Sequence, residues 1–356
     1  MFAYHLMALH SGTVGSAHDI YEYMLTAPEY GHEIVIYGPP SENSPFRFSL
    51  DLEATDALVF VFEWTTHLRD GDHLDFARFV TKVPRSRRVV IDCDGAYNDL
   101  ILAGGDRNHP DEAASRAWSA VCDSLSDKIC QPTLSPLRRN VRPFLFYGFN
   151  PASASAYTNG PKDYGMVYVG HSKLRWSALA RVLRAIEPIR YRLGRIALVG
   201  HGWDAVPPWA AAMDMEQSFY TDRPYLESLG VEFIHPVRFD QVIPWMSRAA
   251  FNPVLLRPFF ERLHLVTPRL FETLSANTLP VFAANPDHVR RIYGDGAEPF
   301  ILPDSGGEEA LSALLRDPRC HIERLEGIRQ HLADRHSHKR RLVELVEIVE
   351  GMAPCG

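Results

Sequence analysis

The sequence predicts an α/β protein of two successive halves, each a parallel β-sheet covered on both faces. Three observations point there. Short apolar runs alternate with helix-like or polar stretches, the pattern of strands buried on both sides. A small, polar, turn-forming stretch from residue 151 interrupts that alternation, which then restarts. The length, 356 residues, exceeds the usual size of a single core and suits two domains of about 150 to 180 residues.

The first apolar run, "FAYHLMAL" (2–9), reads as a strand and gives way to the turn "HSGTVGSAHD". Ile20, Tyr23, Met24 and Ala27 follow at i, i+3, i+4 and i+7, the stripe of an amphipathic helix. Ser16, with Asp19 three residues on, has the spacing of a capping box at its start. "GHEIVIYGPP" (31–40), "ALVFVFEW" (57–64) and "RRVVIDCDG" (87–95) continue the first half as strands. After the linker-like "PASASAYTNGPKDYG", "GMVYVG" (165–170) is a strand, and Leu179, Val182, Leu183 and Ile186 line one face of the next helix. "RIALVGHGWD" (195–204), "VEFIHPV" (231–237), "LPVFAA" (279–284) and "PFIL" (299–302) read as further strands, and "SHKRRLVELVEIVEG" as a terminal helix. The expected boundaries are 1–155, 160–335 and a terminal segment 336–356 that packs on the second half or crosses back to the first.

Composition removes several classes. A net charge of −7 and a pI near 6.1 lack the electrostatic footprint of a protein that coats nucleic acid or an anionic membrane. The five cysteines show neither C-x-x-C pairs nor ligand-like spacing, so neither a disulfide framework nor a metal site is expected. No charged n-region precedes a long apolar stretch, and no run approaches a membrane span of about 18 apolar residues. A reducing, cytoplasmic setting is the expectation, with no nucleic-acid partner. The histidine-rich "HLADRHSHKRR" (331–341) has the spacing of a solvated helix and its loop rather than of a ligand set.

Three segments carry chemistry. Gly12 and Gly15 in "SGTVGS" let backbone amides at a helix start approach a phosphate or sugar, although they also suit an ordinary tight turn. The spacing is not G-x-G-x-x-G, and no acidic residue ends the second strand, which weakens a dinucleotide oxidoreductase reading. In "VYVGHSKLRW", a strand ending at Gly170 is followed by Lys173 and Arg175 just before a helix, where cations and free amides suit a diphosphate or form a solvated basic loop. In "VTPRLFETL", Thr267 and Pro268 suit the N-cap and first position of a helix, which sets Arg269 and Glu272 on one side. A cation at that positive helix end is disfavoured by about 0.3 to 1 kcal/mol, unless an anion shares the site. Glu272 would then accept from ribose hydroxyls; the plain alternative is a surface i, i+3 ion pair.

Taken together, "VYVGHSKLRW…RIALVGHGWD…FNPVL…TPRLFETLSANTLPVF" resembles the C-terminal half of GT-B glycosyltransferases, most closely the CgeB-like spore-maturation group. The N-terminal "SGTVGSAHDIYEYMLTAPEYGHEIVIYG" is similar to the first βαβ unit of that superfamily. The resemblance implies two facing Rossmann-like domains with a cleft between them, the nucleotide-sugar donor on the second and the acceptor, a small molecule or glycan, mostly on the first. It implies no cofactor and no obligatory metal. By position it gives Glu272 to the ribose, places Arg269, Arg175 and Lys173 at or beside the diphosphate, puts Gly12 and Gly15 near the donor phosphates, and rests the base around His235 to Val237. Eight residues before Glu272, where retaining members often carry a second glutamate, stands His264, so retention or inversion stays open.

Sugar transfer needs fixed positive charge for the departing diphosphate and, with inversion, a base for the acceptor hydroxyl. The candidates are His18, Glu63, Asp92 and Asp94, of which the first sits in an early helix turn and the others at strand ends. Asp92 and Asp94 alternate onto one face, and Trp64 beside Glu63 offers a ring to a sugar or to the core. Two other outcomes fit the same fold: a non-hydrolysing nucleotide-sugar 2-epimerase, which needs a denser set of carboxylates, and a catalytically silent nucleotide-binding protein.

Overall fold

A computed structural model describes residues 1–4, 16–39, 44–63, 76–98, 112–158, 160–212 and 215–351. Two parallel sheets dominate it. The first is built from β1 (Phe2–Ala3), β2 (Ile36–Tyr37), β3 (Phe48–Ser49), β4 (Leu58–Phe62), β5 (Arg88–Asp92), β6 (Ile129–Gln131) and β7 (Val141–Pro143), in the order β3-β2-β1-β4-β5-β6-β7. The second holds β8 (Tyr164–Val169), β9 (Ile196–Val199), β10 (Val231–Ile234), β11 (Ala249–Leu255) and β12 (Leu279–Ala283), in the order β10-β9-β8-β11-β12. Each sheet grows outward from its first strand and then returns to that strand's other side. Open α/β sheets place their sites at such a switch, outside the carboxyl ends of the strands. Here the switches fall between β1 and β4 and between β8 and β11.

The strands follow from their sequences. Every residue of β4, β5, β8, β9 and β12 is buried, so their near-continuous apolar runs fit sheets covered on both faces. At Gly165 in β8 a Cβ would lie 1.8 Å from the Leu193 carbonyl oxygen, so only glycine admits the connection that packs there. "PFIL" (299–302) is not a strand. Pro299 sits in a 3-10 turn over Asp295–Phe300, and one bridge from Ile301 to Phe282 is all the pairing that segment makes. The edge strands β3 and β7, the short β6 and the long β11 do not stand out in the periodicity, β11 because it is interrupted by Asn252 and Pro253.

The helices that matter for the site are α1 (Ser16–Thr26), α2 (Trp176–Ile186), α3 (Pro268–Ser275), α4 (Ile322–His336) and α5 (His338–Glu350). The predicted stripe is buried, with Ile20, Tyr23 and Met24 in α1 and Ala27 in the 3-10 turn that follows it, as are Leu179, Val182, Leu183 and Ile186 of α2. Helices α4 and α5 are separated by Ser337, whose extended backbone ends one helix and whose hydroxyl caps the next by accepting from the Arg340 N–H. The chain then returns to the first sheet's side: α5 packs on α1, Lys339 pairs with Glu29 at 2.8 Å, and Lys128 Nζ donates to the Val349 carbonyl at 2.7 Å. His336 and His338 at this joint are buried, contrary to the solvated reading of "HLADRHSHKRR". Among the described residues no helix is long and apolar enough to cross a membrane, and no group of three or more His, Cys, Asp or Glu is placed to hold a metal ion.

Candidate active site

The carboxyl ends of the two sheets meet along a seam. Val266 N–H donates to the Pro132 carbonyl at 2.6 Å and Thr133 Oγ1 to the Leu263 carbonyl at 3.1 Å, tying the loop after β6 to the segment after β11. A Cβ at Gly95 would lie within 2.6 Å of Leu263 and 2.9 Å of Leu265, so the turn after β5 sits directly against the second half.

From the second half, the seam receives positive charge. Strand β8 is followed directly by Gly170, whose φ of +154° favours glycine and whose carbonyl accepts from Trp203 Nε1 at 2.6 Å. That bond gives the "GHGW" motif a structural task. The turn that follows carries His171, Lys173 and Arg175, and Arg175 Nη1 lies 3.0 Å from His171 Nδ1. Lys173 is 1% exposed. Burial first, then the charges of Arg175, Arg257, Lys173 and His201, push the His171 pKa well below its ordinary value, so this imidazole is neutral inside a cationic surround. His201, after β9, is lowered by burial and by His235, which is exposed at the end of β10. Val237 packs half-buried against the apolar cluster around Val167 and Val199.

Thr267 occupies the N-cap of α3 and Pro268 its first turn, although the threonine side chain makes no capping bond. Arg269 Nη1 donates to Glu272 Oε2 at 2.7 Å, with side chains 15% and 4% exposed. The pair is therefore not a solvated surface contact. Its neighbour across the seam is Asp19 of α1, whose pKa is raised well above normal by burial, with the Glu272 charge contributing.

From the first half, carboxylates face these cations. Glu63, just past β4, accepts from Tyr4 Oη at 2.5 Å; burial and then the Asp94 charge push its pKa up to about 7. Asp92 and Asp94 do not share a face as strand alternation suggested, because β5 ends at Asp92. Asp92 folds back on its own turn and accepts from the N–H groups of Ala96 (3.0 Å) and Tyr97 (2.8 Å) and from Gln131 Nε2 (2.7 Å), a structural role. Asp94, 8% exposed, turns across the seam to Arg257, with 3.9 Å between Oδ1 and Nη1.

His18 is half-buried where α1 meets both Phe239 of the second half and α5. Its Nε2 is 3.9 Å from Glu22 Oε1 and its ring lies beside Phe239 and His338, in the joint of α1 with α5. Asp19 serves that joint too: Oδ1 accepts from Gly148 N–H at 3.1 Å and contacts His338 Nε2 at 2.9 Å, in place of the capping box expected of it. A Cβ at Gly148 would lie 2.9 Å from the His338 backbone nitrogen, so the approach needs glycine. Gly12, Gly15 and Trp64 lie outside the described residues. Arg257 and the His338–Asp19 pair were not singled out in the sequence. The one signal for Arg257 is "LLRPFF", an arginine and a proline opening a helix directly after a strand, much as "TPR" opens α3.

No protein-family model matches the chain, and no curated protein matches its sequence. Solved structures with the same architecture exist: the chain has the GT-B fold, two parallel Rossmann-like sheets in succession. An alpha-glucosyltransferase in complex with UDP and a 13-mer DNA superimposes with a TM-score of 0.66 at 12% identity, covering 98% of each chain. The β-glucosyltransferase of T4 phage in complex with UDP-glucose gives a TM-score of 0.59 at 12% identity, covering 99% of this chain and 97% of that one. At that identity the likeness is one of fold.

Proposed function

We propose that the protein transfers a sugar from a nucleoside diphosphate sugar to an acceptor hydroxyl held at the seam between its halves, without a metal ion. One observation carries this reading: Lys173, Arg175 and Arg257 cluster around His171 at the carboxyl ends of β8 and β11, and the Asp94 carboxylate faces them from β5. In this reading Lys173, Arg175 and Arg269 neutralise the leaving diphosphate, Glu272 accepts from the ribose, and Gly170 keeps the backbone low enough for the phosphates to approach. The base rests near His235 and Val237. Asp94 takes the acceptor proton, with Glu63 beside it; His18 then belongs to the joint with α5. Fixed cations in a water-poor site stabilise developing charge without reorganisation, the largest single contribution in most such reactions.

The neighbours support the donor class, since their complexes contain UDP or UDP-glucose. One T4 phage complex also contains Mn²⁺, so turnover is to be compared with and without EDTA. The net charge of −7 argues against coating of nucleic acid but does not bear on a local acceptor groove, and DNA is present in the alpha-glucosyltransferase complex. Duplex DNA therefore joins small molecules and glycans in the acceptor panel. The closer kinship with the CgeB-like group rests on the motifs alone.

The test is a thermal-shift screen with UDP, GDP, dTDP and CDP, then turnover of the matching nucleotide sugars. A ligand at 100 times its Kd stabilises by about 2.7 kcal/mol, which is measurable. If none of the four at millimolar concentration shifts the melt, the donor site is misassigned.

A further inference from the structure

Asp94 and Arg257 come from opposite halves of the chain, two residues beyond the ends of β5 and β11. Their side chains are 9% and 6% exposed, and they lie 3.9 Å apart. The Arg257 guanidinium sits over the rings of Phe260 (4.7 Å) and Phe259 (5.8 Å), which set its plane. From there it acts in two directions. Its charge lowers the pKa of Glu63, the carboxylate beside Asp94, and also that of His171 among the cations at the end of β8. Glu63 is faced by Tyr4 from β1, Ser16 from α1, Asp94 from the turn after β5, and Arg257 from the second half. Cys93 and Tyr147 complete the surround, both held protonated by burial. Arg257 is the cation in that set.

We propose that Arg257 is a positioning residue that couples occupation of the diphosphate site to the proton affinity of the Asp94–Glu63 carboxylates. This rests on the function proposed above. In the structure the guanidinium faces Asp94, and its charge favours the ionised form of Glu63. A bound diphosphate draws the guanidinium toward itself and adds negative charge nearby; both effects raise the affinity of the carboxylates for a proton. The base is thus most basic when the donor is in place. As the bond from the anomeric carbon to the diphosphate oxygen breaks, its electron pair leaves with the diphosphate. The acceptor oxygen bonds to that carbon, and the acceptor proton passes to Asp94.

Calorimetric titration of the whole protein with UDP, GDP, dTDP and CDP, in buffers of different ionisation enthalpy from pH 6 to 8.5, reads this coupling as protons taken up on binding. With Glu63 near half-protonated at about pH 7, the wild type is expected to take up as much as about half a proton there. In Arg257→Gln the cation that lowers the Glu63 pKa is gone, so the uptake maximum moves to higher pH; Arg257→Lys returns it toward the wild-type position. Binding by the wild type without proton uptake overturns the proposal and requires no variant to fold. An Arg257→Gln profile that coincides with the wild type overturns it as well. If no nucleotide binds the wild type, the donor-site reading falls and this inference falls with it.

Discussion

Replacing Glu272 by alanine tests the ribose contact most directly. In the free protein this carboxylate is 3% exposed and bonded to Arg269 at 2.7 Å. Truncation leaves Arg269 without that partner, but the guanidinium side chain is 15% exposed and reaches water, so the stability cost is about 1 to 3 kcal/mol rather than the larger loss of a fully buried orphan charge. On the ligand side, a carboxylate–hydroxyl hydrogen bond contributes about 1.5 to 3 kcal/mol, which is about a 10- to 150-fold rise in Kd. Isothermal titration with UDP and with its 2′-deoxy and 3′-deoxy analogues separates the two effects. Wild-type protein is expected to lose affinity for at least one deoxy analogue, whereas Glu272→Ala binds that analogue and UDP equally weakly. Such a chemical double-mutant cycle isolates the pairwise contact from any general loosening of α3. An analogue that loses as much affinity in the variant as in the wild type would show that Glu272 does not hold the ribose.

Three further outcomes follow from the structure. Asp94→Asn keeps the shape of the turn but removes the proton acceptor, so single-turnover transfer is expected to fall about 100-fold or more while UDP affinity stays within about threefold; equal loss of both would mean a structural role. His338→Ala removes a buried ring and one hydrogen-bond partner of Asp19, and urea unfolding is expected to show a loss of about 2 to 4 kcal/mol; a change under about 0.5 kcal/mol would mean that α5 docks without this contact. The same pair fixes a pH dependence. Burial raises the Asp19 pKa well above 3.8 and lowers that of His338 to about 4, so on folding the carboxyl holds its proton more tightly and the imidazole less tightly than in the unfolded chain. The Asp19 contribution to stability is present below its unfolded value and is lost as pH rises through the folded one, whereas that of His338 grows from about pH 4 to 6.5, so the two oppose each other. Asp19→Asn removes the carboxyl's share and is expected to lessen the fall of stability with rising pH in thermal melts, and an unchanged slope counts against a raised Asp19 pKa.

The two sheets were legible in the sequence because parallel strands buried on both faces read as apolar runs: β4, β5, β9 and β12 lie inside predicted segments, and β8 starts one residue before its own, at Tyr164. "PFIL" was misread because apolarity alone does not distinguish a strand from a packed 3-10 turn, and Pro299 lacks a ladder donor. Strand ends limited the site reading. Alternation put Asp92 and Asp94 on one face, but the strand stops at Asp92, which closes its own turn and leaves Asp94 to the seam. Arg269 and Glu272 were legible because a helix start fixes their spacing. Arg257 was not, since its partner lies in the other half of the chain and no local period links residues 94 and 257. His338 escaped for the same reason: its position among basic residues suggests solvent, and only the return of α5 to α1 buries it.

That return has a bearing on biosynthesis. The surface of the amino-terminal unit is completed by a stretch made after the second half, so Asp19 and Gly148 meet His338 only once that half has been synthesised as well. A stop codon just ahead of Ser337 would thus leave the cations after β8 and β11 encoded in full while stripping the opposite lobe of its cover.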